Sequence, residues 1–177
     1  MIKAWHFTGD ILRDGRPLPA NGVWLTHTGD CVMCKSGLHA SINPFDALQY
    51  APGAMLCYVE CRDIVQTDSD KLVCRGRKII ARMNATDMLC YFSRMQAVSV
   101  IHLWEAPDVV CDYLMTGDDS IRDVARAAAW GAACGAFGDA ARGAAARDAA
   151  WDAARRASWD TAKNEFAQLV YECFKLT

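Results

Sequence analysis

The chain has 177 residues, a net charge of −2 and 53% hydrophobic residues, many of them alanine. That length suits about one domain of 100–150 residues plus an extension, and the near-neutral charge excludes both a generic nucleic-acid binder and an acidic DNA mimic. No apolar run reaches the ~18–20 residues of a membrane span, and the start, MIKAWHFTGDILRD, has no signal-peptide core, so the sequence reads as a cytoplasmic protein. Nine cysteines, odd in number and scattered, then read as free thiols in a reducing compartment.

In chain order, Ile2 to Thr8 (IKAWHFT) predicts a short strand, ended by Gly9-Asp10. Arg13 to Gly22 is a loop punctuated by Asp-Gly and two prolines. Val23 to Thr28 predicts a strand, Thr28-Gly29-Asp30 a turn, and Cys31 to Cys34 a short apolar run. Asn43 is placed to cap a helix with Pro44 at its first position and Asp46 in its first turn, ending near Tyr50. Met55 to Cys61 predicts a strand with Met55, Cys57, Val59 and Cys61 on one face and Leu56, Tyr58 and Glu60 on the other. Lys71 to Met83 reads as strand interrupted at Gly76. Asn84-Ala85-Thr86 caps a helix over Asp87 to Ala97, and the β-branched run Val98 to Trp104 predicts a further strand. Pro107 opens a helix to Leu114, which Thr116-Gly117-Asp118 breaks.

From Ser120 the composition changes. Eighteen of the 38 residues from Ala125 to Ala162 are alanine, a helix-forming bias. At 100° per residue, Trp130, Cys134, Phe137, Trp151, Trp159, Phe166, Leu169, Val170 and Cys173 share a stripe about 100° wide, enough for one buried face. Gly131, Gly135, Gly138 and Gly143 mark a break or a close helix contact. The expected fold is therefore α+β: a mainly antiparallel sheet core with short helices over 1–105, then an Ala-rich helical arm or hairpin over 106–177.

Candidate binding residues fall in the first third. His6 and Thr8, two apart on a strand, project to the same side and can hydrogen-bond a ribose or carboxamide edge; an edge-strand histidine with a structural hydroxyl is the plainer reading. Gly37 permits a tight turn before His39 and Ser41, with His39 placed to stack on a flat ligand, and Tyr50 ends the following helix. The basic run Arg75, Arg77, Lys78, Arg82 offers a phosphate site if Arg75 and Arg77 share a strand face, or is a solvated face that discourages edge pairing. Cys31-x-x-Cys34, with His27, His39, Cys57 or Cys61, is half of a zinc motif; cysteine as a small core hydrophobe is the simpler reading and no metal is expected.

The order of these pieces over residues 4–61 resembles the ADP-ribosyltransferase fold, in particular its poly-ADP-ribose polymerase branch. The resemblance implies an NAD or ADP-ribose cleft formed by His6, Thr8, Gly37, His39, Ser41 and Tyr50. It departs from that family at the ring-stacking tyrosine, where His39 stands, and at the late catalytic glutamate, since Val98 to Trp104 has none. No catalytic residue is assigned on this basis. Over nearly its whole length the chain also resembles a family of phage and prophage accessory proteins, through HFTGDILRDGRPLP, GLHASINPFDALQYAPG, KLVCRGRKIIAR and TGDDSIRDVARAAAW. That likeness implies action in the cytoplasm of a bacterial host but gives no activity.

Three functions follow as expectations. One is a protein that binds a host protein through Trp130, Phe137, Trp151 and Trp159 of the arm together with the sheet surface of the ADP-ribosyltransferase-like core, and blunts an antiviral defence. Another is an NAD-dependent ADP-ribosyltransferase acting on a host target. The third is a self-assembling protein, homo-oligomeric through the arm.

Overall fold

The computed structural model describes residues 1–12, 15–103, 105–137 and 144–176; the side chains of residue 103 and of 130–158 are outside that description. The fold is α+β, an antiparallel sheet with several helices. The strands are β1 (Ile2–Thr8), β2 (Trp24–Thr26), β3 (Leu38–Ala40), β4 (Met55–Thr67) and β5 (Leu72–Asn84). The helices are α1 (Pro44–Leu48), α2 (Thr86–Val100), α3 (Asp108–Thr116), α4 (Arg122–Phe137) and α5 (Ala144–Phe174). Among the described residues no helix is long and apolar enough to cross a membrane.

The chain divides into two compact units, Met1–Thr86 with Lys163–Thr177, and Asp87–Ala162. This differs from the expected division at 105/106. The helical tail is not one appendage, because its last turns are part of the sheet unit.

In the sheet unit, β4 lies between β1 and β5, with Ile2 opposite Cys61, Thr8 opposite Met55, and Cys57 opposite Arg82. β3 has two partners. Leu38–Ala40 pairs with β5, and the next residue, Ser41, exchanges backbone hydrogen bonds of 2.7 and 2.9 Å with Trp5 of β1. The pairing β1–β4–β5–β3–β1 rolls the sheet onto itself. Its inner face holds Ala4, Ala40, Cys57, Val59, Cys61, Leu72, Cys74 and Ile79. A tightly curled interior admits only modest side chains, so three of the cysteines serve as small hydrophobes. The expected two faces of β4 hold, and the strand runs on to Thr67 through a kink where Asp63 takes φ 53°.

Trp5 is buried on the other face, against Tyr58 at 4.8 Å, Phe174 at 5.0 Å and Tyr171 at 5.9 Å between ring centroids. Phe166 of α5 meets Phe45 of α1 edge to face at 5.7 Å. Phe166 and Val170 are completely buried, each stabilising the unit by roughly 1.5–3 kcal/mol. α1 forms as expected: Asn43 Oδ1 accepts from the Phe45 N–H at 2.8 Å and Pro44 sits in the first turn. Lys163 Nζ donates to both oxygens of the buried Asp46 at 2.8 Å. Lys163, Phe166, Ala167, Val170 and Phe174 thus make the contact face of α5, spaced i, i+3, i+4, i+7, i+11. That face is rotated by about 60° from the predicted stripe, and Cys173 stands exposed outside it.

At the end of the first stretch of the sheet unit, Asn84 Oδ1 caps α2 by accepting from the Thr86 N–H at 2.9 Å. The strand expected over Val98 to Trp104 does not form. Val98–Val100 end α2, Ile101–Leu103 make a 3-10 turn, and Trp104 lies outside the described residues. The capped helix propagates at one hydrogen bond per residue, and a β preference worth at most ~1 kcal/mol per residue does not stop it without a strand to pair with. Gly117, at φ 70°, closes α3, and Arg94 donates to the Leu114 carbonyl at 3.0 Å beside it. Arg122 Nε donates to the Tyr113 hydroxyl at 3.2 Å, tying the start of α4 to α3.

Candidate functional site

The inner face of the rolled sheet is apolar except at one end. There His6 and Thr8 of β1, Cys57 of β4 and Arg77 of β5 line a small cavity, closed by Leu18, Leu25 and Ile79. His6 stands opposite Cys57, and Arg77 opposite Cys61. The pairing register brings these side chains together from three strands, and the alternation that points Ile79 inward points Arg77 inward too. The Gly22 N–H donates to the Ile79 carbonyl at 2.7 Å and Arg82 donates to the Pro19 carbonyl at 3.3 Å, holding the 18–22 loop beside the cavity.

Arg77 is 8% exposed. Among the described residues it has no carboxylate partner; its guanidinium donates to the backbone carbonyl of His39. Burial pulls Arg77 below the ordinary guanidinium value, while the Cys61, Cys74 and Cys57 thiols oppose that shift. His6 is held well below the usual imidazole value, first by burial, then by Arg77 and His39. It is therefore neutral near pH 7. Burial pushes the Cys57 thiol up to about 11 against the pull of Arg77 and Arg82, so it is no ready nucleophile.

The predicted cleft residues do not all meet. His6 and Thr8 share the cavity. His39 does not line it; its Nε2 accepts the Cys34 N–H at 3.0 Å, and only its carbonyl reaches Arg77. Gly37 is a turn residue at φ 102°, where an added Cβ would lie 2.6 Å from Val73. Ser41 is buried in the bridge to Trp5. Tyr50 is half exposed and away from the cavity: its hydroxyl donates to Asp70 and accepts from Lys71 Nζ at 2.9 Å, and the Lys71 ammonium lies 4.5 Å from its ring centre. That hydroxyl, then Cys34 and Asp70, raise Lys71 above its ordinary value. The helix carrying Tyr50 ends early, at Leu48, which turns the ring toward the β4–β5 connection.

The basic run also separates. Arg75 is exposed and donates to the Gly29 carbonyl at 2.8 Å, so it and Arg77 do not share one phosphate site. Lys78 pairs with Glu60 at 2.5 Å, and Lys3 meets the same carboxylate at 3.2 Å. The Arg62 guanidinium lies 4.3 Å and the Lys78 ammonium 4.8 Å from the centre of the Trp24 ring. Around the half zinc motif, Cys31 Sγ approaches the Cys74 carbonyl at 3.8 Å; among the described residues no three metal-ligating side chains cluster. On the helices, Trp159 is about half exposed, and the side chains of Trp130, Phe137 and Trp151 lie outside the described residues.

The cavity does not fit a nicotinamide. The room for the centre of a water-sized sphere is about 10 Å³, enough for roughly one water, whereas sites that bury a small-molecule ligand run to ~300 Å³ or more. Its lining carries a guanidinium and, among the described residues, no carboxylate. Residues 5–90 are similar to a family described as a domain of unknown function, DUF7666, which spans β1 to the first residues of α2. No curated protein and no solved structure matches this chain.

Proposed function

We propose that the chain acts by binding: a phage-type accessory protein that engages a protein of its bacterial host and blunts an antiviral defence, on a core related to the ADP-ribosyltransferases that does not transfer ADP-ribose. The observation that carries this reading is Arg77. Transfer from NAD builds positive charge on the ribose, which a carboxylate stabilises and a nearby guanidinium opposes. Arg77 lines the cavity beside His6 and Thr8, where the resemblance puts the nicotinamide. The exposed apolar side chains of the helical unit, Tyr91, Val100, Met115, Val124 and Trp159, supply area for a partner.

Affinity capture from host lysate with the whole chain, and with Met115→Glu/Val124→Glu, tests this. One host protein retained near equal stoichiometry by the wild type, and at least tenfold less by the variant at unchanged melting temperature, is the expected result. Labelled ADP-ribose appearing on a lysate protein from NAD, and disappearing with His6→Ala, would overturn it. A doubled solution mass without any captured host protein would instead favour self-assembly.

A further inference from the structure

Arg77 presents an imbalance that the packing of the sheet unit does not explain. A guanidinium taken out of water is costly unless its charge is matched and its N–H groups find acceptors. Here the residue is 8% exposed, and the His39 carbonyl is its only hydrogen-bond partner among the described residues. The facing Cys57, Cys61 and Cys74 side chains are completely buried; burial pushes Cys57 up to about 11, Cys61 is raised, first by its hydrogen bond with Cys74 and then by burial, and the same bond lowers Cys74. Cys57 and Cys61 are neutral thiols at pH 7 and give no countercharge. Cys74 places its sulfur 3.2 Å from the Leu38 carbonyl and 3.3 Å from that of Gly76, which is the geometry of an S–H donor rather than a thiolate.

The other polar groups at the cavity are also unused. Among the described residues neither ring nitrogen of His6 nor the hydroxyl of Thr8 makes a side-chain hydrogen bond, and both residues line the same space as Arg77. A fixed cation, a neutral imidazole and a hydroxyl face one opening walled by Leu18, Leu25 and Ile79; the guanidinium can only donate, the other two can each turn a donor toward it, and among the described residues no carboxylate lines the space. We infer that the His6–Thr8–Arg77 cavity is an anion site that takes the carboxylate of a small organic acid.

Size decides between oxyanions. The space holds about one water-sized body. A planar carboxylate can enter edge-on, with one oxygen where that water would sit, beside the guanidinium, and the rest of the acid toward the opening. A tetrahedral phosphate would require the Leu18 and Leu25 walls to part. The site shares Arg77 with the argument against ADP-ribose transfer, but it lies wholly within the sheet unit and uses none of the exposed helical residues offered to a host protein, so the lysate capture and the anion titration fail separately.

The test uses the full chain labelled with ¹⁵N-histidine, followed by NMR while sodium formate, sodium acetate or inorganic phosphate is titrated against sodium chloride of equal ionic strength. Formate and acetate should shift the His6 ring signals saturably. The apparent affinity should fall at least tenfold in Arg77→Met and several-fold in Thr8→Val, with His27 and His102 serving as internal controls. Arg77→Met replaces a buried cation by an apolar chain, so it should melt no lower than the wild type while losing the response. Should that variant not fold, Thr8→Val and the cavity-filling Leu25→Phe carry the comparison, each expected to weaken binding. A non-saturable shift, an equal shift in the variants, or tighter binding of phosphate than of formate would overturn the inference.

Discussion

Phe166 and Val170 are completely buried in the sheet unit, whereas Val124 and Met115 of the helical unit stand 60% and 67% exposed. All four are apolar residues on helices, and two of them lie on α5, a helix whose first part belongs to the other unit. The difference is what each helix packs against. The rolled sheet turns Trp5 outward as an apolar platform that α5 covers, so apolar positions on its last turns are removed from water. Helices α2 to α4 are closed by local devices: a cap at Asn84, a left-handed Gly117, and a bond from Arg122 to Tyr113. Such devices form helices without requiring that every apolar side chain be buried. One unit is specified by long-range packing and the other by local geometry, which leaves the second with apolar area to offer a partner.

Substitutions should separate the two units by size of effect. Phe166→Ala empties a fully buried site between α5 and α1 and should cost about 3–5 kcal/mol by urea unfolding. Val124→Ala, at an exposed site of α4, should stay within about 0.5 kcal/mol. Equal losses at the two positions would mean that the helical unit is packed as tightly as the sheet unit.

Lys163→Ala should follow at about 3 kcal/mol, the low end for removing one partner of a buried pair, because Asp46 is only 5% exposed and Lys163 holds both its oxygens. A double-mutant cycle with Asp46→Asn should recover much of the loss; simple additivity would show that the pair is not coupled. Gly37→Ala should cost about 2 kcal/mol through strain at φ 102° and the contact with Val73. A melting temperature unchanged from wild type would mean that the turn can relax.

The smallest effect is pH-dependent. His6 has a depressed folded value, so as pH falls the unfolded chain takes up the proton first. The sheet unit should lose stability from about pH 6.5 downward, levelling only below the folded value. His6→Gln should flatten that part of the curve when urea midpoints are compared at pH 7, 6 and 5. Glu60, held low by Lys78 and Lys3, adds stability above its unfolded value that is lost only at more acid pH, so the two windows are distinct.

Several features are legible in the sequence alone. The alternation of β1 and β4, the Asn43-Pro44 helix start, the Asn84 cap and the Gly117 stop each depend on neighbours within a few residues, and chemistry at that range is written in the chain order. The exposure of Met115 and Val124, the rotated face of α5 and the position of Tyr50 are not, since each depends on what another element presents. Val98 to Leu103 shows the same limit: its β preference had no strand to pair with, and a helix already capped at Asn84 ran through it.

Arg77 marks the boundary most clearly. Alternation with Ile79 was available from the sequence and already put the two on one side of β5. Which side faces inward, and that His6 and Thr8 share it, was decided by the pairing of β1 with β4, the closure of β3 onto β1 and the tight curl that followed. A guanidinium is ordinarily a surface group because its hydration is strong; only a register joining three strands could place one, without a carboxylate, against a histidine and a threonine.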